Sequence, residues 1–208
     1  MSSTDQILKK VDEYYSNKIQ NYGATARGVD WNTKDSQFLR FEKLLQIVDH
    51  DLSFSILDFG CGYGALAEYL DATKKQFSYH GFDISKEMIK IANETHKLKT
   101  PGTFLSKATD LKVSDYVVAS GIFNVKVGSS SDDWETYIRM TLSELNRLSS
   151  VGFAFNILTL YSDLEKRSES LYYADPSIWF DYCKRNFSKK VALLHDYPLY
   201  EFTILVRK

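Results

Sequence analysis

The sequence is poor in cysteine, in long apolar runs and in net charge. Its only cysteines, Cys61 and Cys183, lie far apart, so we expect no disulfide framework and predict a reducing, cytoplasmic location. No apolar run approaches the roughly 20 residues that span a bilayer. The N-terminus shows no basic segment followed by an apolar one, so we expect neither a membrane anchor nor a secretory signal.

The charge and the histidines exclude further classes. A net charge of -1 offers no basic excess for a phosphate backbone, so nucleic acid is not an expected partner. The four histidines are scattered and show no Cys/His spacing typical of zinc, so no metal site is predicted.

The apolar pattern alternates between helical and strand periods along most of the chain. It predicts a helix over 6–19, a polar loop over 21–34, and a second helix that Asp35 or Ser36 caps. Strands are predicted over 54–59, 78–83, 103–105, 115–119, 151–158, 191–194 and 200–206. The remaining helices are predicted to open at Ala65, after a Ser85 cap, at Trp134 and at the Asp175-Pro176 pair.

The last two strands are joined by a turn around 197–199 that is too short for a crossover helix, so they must be antiparallel. The order of elements predicts an α/β fold: a doubly wound, mostly parallel, seven-stranded sheet with a C-terminal antiparallel hairpin and helices on both faces. No repeat or linker divides residues 1–208, so we expect one domain. Residues 1–34 would form an N-terminal helix and a lid-like segment, and residues 35–208 the core.

A glycine turn between the first strand and its helix is the most informative segment. Glycines there permit a positive φ and close approach of a ligand to the backbone. The pattern Gly60-x-Gly62-x-x-Ala65 also satisfies the dinucleotide-binding fingerprint. Asp83 ends the second strand, where a carboxylate accepts ribose hydroxyls in either class of nucleotide.

Three features favour a sulfonium cofactor over a dinucleotide. Asp58 directly precedes the turn, where it would repel two phosphates but suit a cation or an amino group. The chain also has no room for a separate dehydrogenase substrate domain, and it ends in the antiparallel hairpin.

Three segments resemble motifs of the class I S-adenosylmethionine-dependent methyltransferases. Residues 56–64 resemble motif I, residues 81–85 the second-strand motif whose acid holds the ribose, and residues 115–121 the fourth-strand motif that passes the methyl donor. The usual third-strand motif is shortened here to residues 106–110. The resemblance implies a Rossmann-like core, S-adenosylmethionine as cofactor and S-adenosylhomocysteine as product. The cofactor-binding residues that we predict are Tyr15, Arg40, Asp58, Gly60, Cys61, Gly62, Gly64, Asp83, Ile84, Met88, Thr109, Asp110, Ser120 and Gly121.

Arg40 is a special case, because a charged group between the apolar Leu39 and Phe41 needs a reason. It is predicted to contact the methionine carboxylate of the cofactor, and the alternative is a surface arginine paired with a neighbouring glutamate. Within the predicted set, Thr109 and Asp110 would contact the adenine.

The acceptor wall should come from segments that overhang the carboxyl ends of the strands. Methyl transfer gains much of its rate from alignment, so no general base is assigned, and His195 and Tyr173 are the candidates for a catalytic role. No Asn/Asp-Pro-Pro-Tyr segment occurs, which counts against N-methyltransferases of adenine, cytosine or glutamine. The aromatic candidates for the wall are Tyr14, Tyr22, Trp31, Phe123, Tyr161, Tyr172 and Tyr173, together with His195.

The leading hypothesis is methyl transfer to oxygen or nitrogen of a small polar molecule. The N-terminal segment, residues 1–31, would close over the cofactor as a lid. The alternatives are an RNA or protein methyltransferase, and a non-catalytic protein that binds the same cofactor.

Overall fold

Seven strands form one sheet in the computed structural model, which describes residues 3–49, 53–73, 76–96 and 102–208. The sheet order is β3-β2-β1-β4-β5-β7-β6. The strands are β1 (Phe54–Phe59), β2 (Phe77–Phe82), β3 (Gly102–Leu105), β4 (Ser114–Ala119), β5 (Ser149–Leu158), β6 (Lys190–Leu194) and β7 (Glu201–Arg207).

The sheet is parallel from β3 through β5. Strand β7 runs antiparallel to both of its neighbours, β5 and β6, which confirms the predicted hairpin and fold class. The carboxyl ends of β1, β2 and β4 therefore meet at one edge, where open α/β sheets bind their ligands.

Six α-helices surround the sheet within the described ranges. They are α1 (Ser3–Tyr22), α2 (Lys34–Leu44), α3 (Ala65–Ala72), α4 (Lys86–Thr95), α5 (Ser131–Leu148) and α6 (Pro176–Asn186). None of the helices in the described part of the chain is long and apolar enough to cross a bilayer.

Helix caps follow the sequence closely, with one exception. The side chains of Ser85 and Asp175 accept backbone N–H groups and cap α4 and α6, as predicted. Helix α2 is capped by Thr33 rather than by Asp35 or Ser36, because Thr33 is the last extended residue and its hydroxyl accepts the N–H of Ser36 at 3.1 Å. Asp35 lies inside the first turn.

The two faces of the sheet carry separate apolar clusters. On one face, Ile56 and Val118 pack against Leu44 of α2 and Leu66 of α3. On the other face, the strands pack against α1, α5 and α6. This arrangement confirms the prediction of helices on both faces.

Helix α1 covers a part of the sheet that the β3–β4 connection leaves bare. Between these strands the structure has only a 3-10 turn, Ala108–Asp110, in residues 106–113. Ile7 and Val11 of α1 are buried in the cluster that contains Leu57 and Val117, and α1 contacts both α4 and α5. The helix is therefore part of the core, and the lid-like role of segment 1–34 stays a prediction.

Candidate functional site

The glycine turn after β1 adopts the conformation that its sequence requires. Gly60 and Gly62 have φ angles of 83° and 55°, in the left-handed region that favours glycine. The N–H groups of Gly60 and Cys61 donate to the carbonyl oxygen of Phe82 at 2.7 and 2.9 Å. These bonds fix the turn against the end of β2.

Asp83 follows β2 and faces this turn. Its Oδ2 accepts the N–H of Gly62 and its Oδ1 accepts the N–H of Ser85, both at 2.9 Å. Burial raises the pKa of Asp83 to about 6, although the two backbone hydrogen bonds act to lower it. The carboxylate is thus held in one orientation, and each oxygen keeps capacity to accept a further hydrogen bond.

Asp58 lies deeper, beneath the turn, and is only 3% exposed. The hydroxyl of Tyr79 donates to its Oδ2 at 2.7 Å. Burial, and to a smaller extent the nearby charge of Asp83, raises the pKa of Asp58 to about 7, although the Tyr79 hydrogen bond acts to lower it. A buried carboxylate without a cationic partner costs free energy, so its position at the turn suggests a role in binding.

A pocket opens at this carboxyl edge between the glycine turn, the ends of β2 and β4, and the N-terminal segment. Asp58 and Asp83 are the acidic residues of its lining, and no Lys, Arg or His lines it in the described part of the chain. Its remaining surface is mostly apolar and aromatic. Ten predicted cofactor-binding residues line the pocket: Tyr15, Asp58, Gly60, Cys61, Gly62, Asp83, Ile84, Met88, Ser120 and Gly121.

The residues that follow β4, Ser120 and Gly121, line the same pocket. The N–H of Gly121 donates to Oδ1 of Asn156 at 2.7 Å, and its φ of 74° is left-handed. The hydroxyl oxygen of Ser120 is buried and has no hydrogen-bond partner among the described residues. A buried hydroxyl of this kind is available to a ligand.

Cys61 is a structural member of the turn. Burial raises the pKa of its thiol well above the usual value, and the charges of Asp58 and Asp83 act in the same direction. A thiol that resists ionisation is a poor nucleophile.

Three other predicted residues lie outside the pocket lining. Gly64 caps α3 and faces the rings of His96 and Phe104 instead. Thr109 and Asp110 lie in the exposed 3-10 turn after β3, where the Thr109 hydroxyl donates to Asp110. Neither residue lines the pocket, so the structure does not bring the predicted adenine contacts together with the other predicted cofactor-binding residues.

Arg40 also does not line the pocket. Its contacts fit the alternative prediction, an arginine paired with a glutamate, better than a contact with the cofactor. Its Nε and Nη2 donate to the two carboxylate oxygens of Glu201 at 2.8 Å each. The pair is buried, and the glutamate is distant in sequence rather than a surface neighbour.

The candidates for catalysis and for the acceptor wall are dispersed. His195 is exposed and contacts the rings of Tyr161 and Phe202, and the Tyr173 hydroxyl accepts the N–H of Ser168. Trp31 lines the pocket. The other predicted wall residues do not: Phe123 and Tyr172 are in the core, Tyr22 and Tyr161 are exposed, and Tyr14 is half-buried beside Lys18.

Several lining residues had no distinctive sequence signal. Val11 precedes Tyr15 by one helical turn, and Tyr137 is a buried residue of α5. Val29 and Ile122 contact the glycine positions 62 and 60. Each looks like an ordinary core residue in its local pattern, so only the tertiary packing shows that it lines the pocket.

Comparison with known proteins agrees with this geometry. A Rossmann-like sheet with an acidic, glycine-lined pocket at its carboxyl edge is typical of nucleotide-binding enzymes. A model of the methyltransferase domain family matches residues 56–146. "Putative methyltransferase Rv1506c" of Mycobacterium tuberculosis (strain ATCC 25618 / H37Rv) is 51% identical over 164 residues, which cover 79% of this chain and 99% of that protein.

Two solved structures share the fold. The DhpI-SAM-HEP complex has a TM-score of 0.67 at 14% identity and covers 97% of this chain and 98% of that one. Magnesium protoporphyrin IX methyltransferase (ChlM) from Synechocystis PCC 6803, with bound SAM, has a TM-score of 0.62 at 15% identity and covers 100% and 98%. The chain belongs to the class I S-adenosylmethionine-dependent methyltransferases, as the sequence motifs predicted.

Proposed function

We propose that the pocket binds S-adenosylmethionine and that the chain transfers its methyl group to an oxygen or nitrogen of a small polar molecule. The observation that carries this proposal is the convergence of Asp58 and Asp83 on the glycine turn, with no cationic side chain among the described lining residues. The solved neighbours DhpI and ChlM contain S-adenosylmethionine, which supports the same choice of cofactor.

The charge of the pocket favours this cofactor over a dinucleotide. Opposite charges about 4 Å apart near a protein surface attract by roughly 4 kcal/mol before desolvation, and like charges repel by a similar amount. Two carboxylates beside the turn would therefore oppose a pyrophosphate and attract a sulfonium or an ammonium group. A bound cation would also favour the ionised form of both acids, whose pKa values burial has raised.

Each group of the pocket has a separate task in this proposal. Asp83 accepts ribose hydroxyls with the oxygens that Gly62 and Ser85 orient, and the glycine turn allows close approach of the backbone. The cofactor, when bound, supplies an electrophilic methyl carbon. The chain contributes alignment of the two reactants and exclusion of water.

The acceptor is proposed to be a small molecule because α1 and the loop that follows it cover the pocket on one side. A net charge of -1 also leaves little to hold a polyanion. ChlM acts on magnesium protoporphyrin IX, which is likewise a small molecule.

Calorimetry with S-adenosylhomocysteine, S-adenosylmethionine and NAD tests the cofactor. We expect the first two to bind and NAD not to compete. Tight NAD binding with no response to S-adenosylhomocysteine would refute the proposal. Incubation with S-adenosylmethionine and a panel of small hydroxyl and amine acceptors, read by release of S-adenosylhomocysteine, then tests the transfer; an RNA or a protein substrate in the same panel tests the competing acceptor classes.

A further inference from the structure

We propose that Trp31 forms the pocket wall at the methyl-donor end and sets the size of the group that fits there, and that the buried Arg40–Glu201 ion pair positions its ring. This inference rests on the proposed function, because it takes the β4 exit, Ser120 and Gly121, as the place of the methyl donor. Trp31 would then be a specificity-determining residue, and Arg40 and Glu201 positioning residues.

Trp31 is packed directly against the β4 exit. A Cβ atom added at Gly121 would lie 2.2 Å from Cζ2 of Trp31, so the indole ring already fills the space beside the glycine backbone. The N–H of Trp31 donates to the carbonyl oxygen of Ala26 at 2.8 Å, which fixes its backbone. The ring therefore closes the pocket at this end and leaves no room for a larger neighbour at position 121.

On its other side, the Trp31 ring contacts a buried guanidinium, that of Arg40, whose three nitrogen atoms each donate a hydrogen bond. Arg40 uses Nε and Nη2 for Glu201, and its Nη1 donates to the carbonyl oxygen of Ser36 at 2.7 Å. Glu201 is 0% exposed and Arg40 is 8% exposed. The carbon centre of the guanidinium lies 3.8 Å from the centroid of the Trp31 ring, within stacking distance.

A buried ion pair is weak evidence for stability, because desolvation of both charges offsets much of their attraction. Its rigid bidentate geometry, however, fixes the plane of the guanidinium. A fixed plane in contact with an indole ring also fixes the ring, and cation–π attraction adds to the contact. Positioning of the Trp31 ring is therefore a function for this ion pair that its contribution to stability does not supply.

The same carboxylate is also connected to the β4 exit. Nδ2 of Asn124 donates to Oε1 of Glu201 at 3.3 Å, and Oδ1 of Asn124 accepts the N–H of Leu158. Asn124 lies in the turn that Gly121 begins, and its own N–H donates to the Gly121 carbonyl oxygen. Glu201 therefore holds both the ring and the β4 exit that the ring contacts.

A cofactor analogue tests the role of Trp31 without knowledge of the acceptor. We would measure binding of S-adenosylmethionine, S-adenosylhomocysteine and the analogue that carries an S-allyl group in place of the methyl group. The wild type should bind the allyl analogue about tenfold more weakly than S-adenosylmethionine, since added carbons in a tight pocket cost about this much. Trp31→Ala should remove most of this discrimination and keep its affinity for S-adenosylhomocysteine within about threefold. Tyr22→Ala, at an exposed aromatic of the same segment, is the matched control.

Equal loss of affinity for all three ligands, or discrimination that Trp31→Ala leaves unchanged, would overturn the assignment of Trp31. Failure of the wild type to bind any of them would refute the proposed cofactor instead, so the two failures are distinguishable.

Fluorescence tests the positioning by Arg40 and Glu201. Trp134 and Trp179 are 0% and 1% exposed, so acrylamide quenching reports mainly on Trp31. Arg40→Lys keeps the charge but loses the planar stack, and we expect a larger quenching constant, red-shifted emission and weaker discrimination against the allyl analogue. The double variant Arg40→Met/Glu201→Met, which replaces the pair by apolar groups, should show the same changes if Arg40→Lys fails to fold.

A lower melting temperature with unchanged quenching and unchanged discrimination would show that the pair is merely structural. Lys34→Met, which removes an exposed ion pair with Glu68, is the control and should change neither readout.

Discussion

The charge of Asp58 should destabilise the ligand-free protein, and replacement by asparagine should reveal how much. Asp58→Asn keeps the shape of the side chain and an oxygen that can accept the hydrogen bond from Tyr79. It removes a carboxylate that is 3% exposed and that has no Lys, Arg or His beside it in the described pocket lining. The variant should therefore be the more stable protein at neutral and alkaline pH.

The magnitude follows from the pKa of Asp58, which burial raises from 3.8 to about 7. At about 1.4 kcal/mol for each pH unit, the charged form costs the native state up to about 4 kcal/mol. The native state holds this proton more tightly than the unfolded state, so its stability relative to the variant falls as pH rises from about 4 to about 7. Above that window the cost is constant, and below it the two proteins should differ little from this cause.

Urea unfolding of both proteins across this pH range, without ligand, measures the difference. Asp115→Asn is a control of opposite sign, because hydrogen bonds from the backbone and side chain of Ser55 lower the pKa of Asp115. Asp115 contributes stability above its unfolded pKa that is lost as pH falls through its folded pKa, so this variant should lose most at neutral pH. A stability difference for Asp58→Asn that does not change with pH would refute the reasoning.

Three further predictions concern the cofactor pocket, with S-adenosylhomocysteine as the ligand. Asp83→Ala should weaken binding by about 1.5–3 kcal/mol, which is the usual contribution of hydrogen bonds to a charged group. Asp110→Ala, in the exposed turn, should leave binding unchanged. Equal affinities of the two variants in calorimetry would place the site elsewhere. Gly62→Val should abolish binding, because the φ angle of residue 62 is 55° and an added Cβ atom would lie 3.0 Å from the side chain of Val29. Gly23→Ala is the control for backbone strain alone, because Gly23 also has a positive φ but no atom within 4 Å of an added Cβ. In hydrogen exchange, residues 23–33 should gain protection with ligand while α1 is protected in both states; equally fast exchange of 23–33 in both would show that it is no lid.

Features that depend on neighbouring residues could be predicted from the sequence. Strand β1 has the predicted bounds, 54–59, because a short apolar run before glycines leaves few alternatives. The caps Ser85 and Asp175 were predicted for the same local reason. The left-handed turn at Gly60 and Gly62 follows from residue type as well.

Features that depend on distant residues could not be predicted from the sequence. The partner of Arg40 lies 161 positions away in the sequence. This partner, Glu201, is the first residue of β7, and no local pattern identifies it. Thr109 and Asp110 are predicted from the resemblance to a longer third-strand motif, and in the structure they lie in a separate 3-10 turn. The amphipathic pattern of α1 predicts a helix but does not show which surface the helix covers.

The position of α1 also explains where this enzyme can differ from others that share its motifs. The family match spans residues 56–146, which contain the glycine turn, Asp83 and the β4 exit. Tyr15 and Trp31 lie before that range and line the same pocket. Ile7 and Val11 anchor α1 in the core with free energy of order 1.5–3 kcal/mol for each buried side chain, and the next turn of the helix then brings Tyr15 to the pocket. Because the core itself holds the segment that lines the pocket, substitutions before residue 56 can change the shape of the pocket without altering the cofactor motifs.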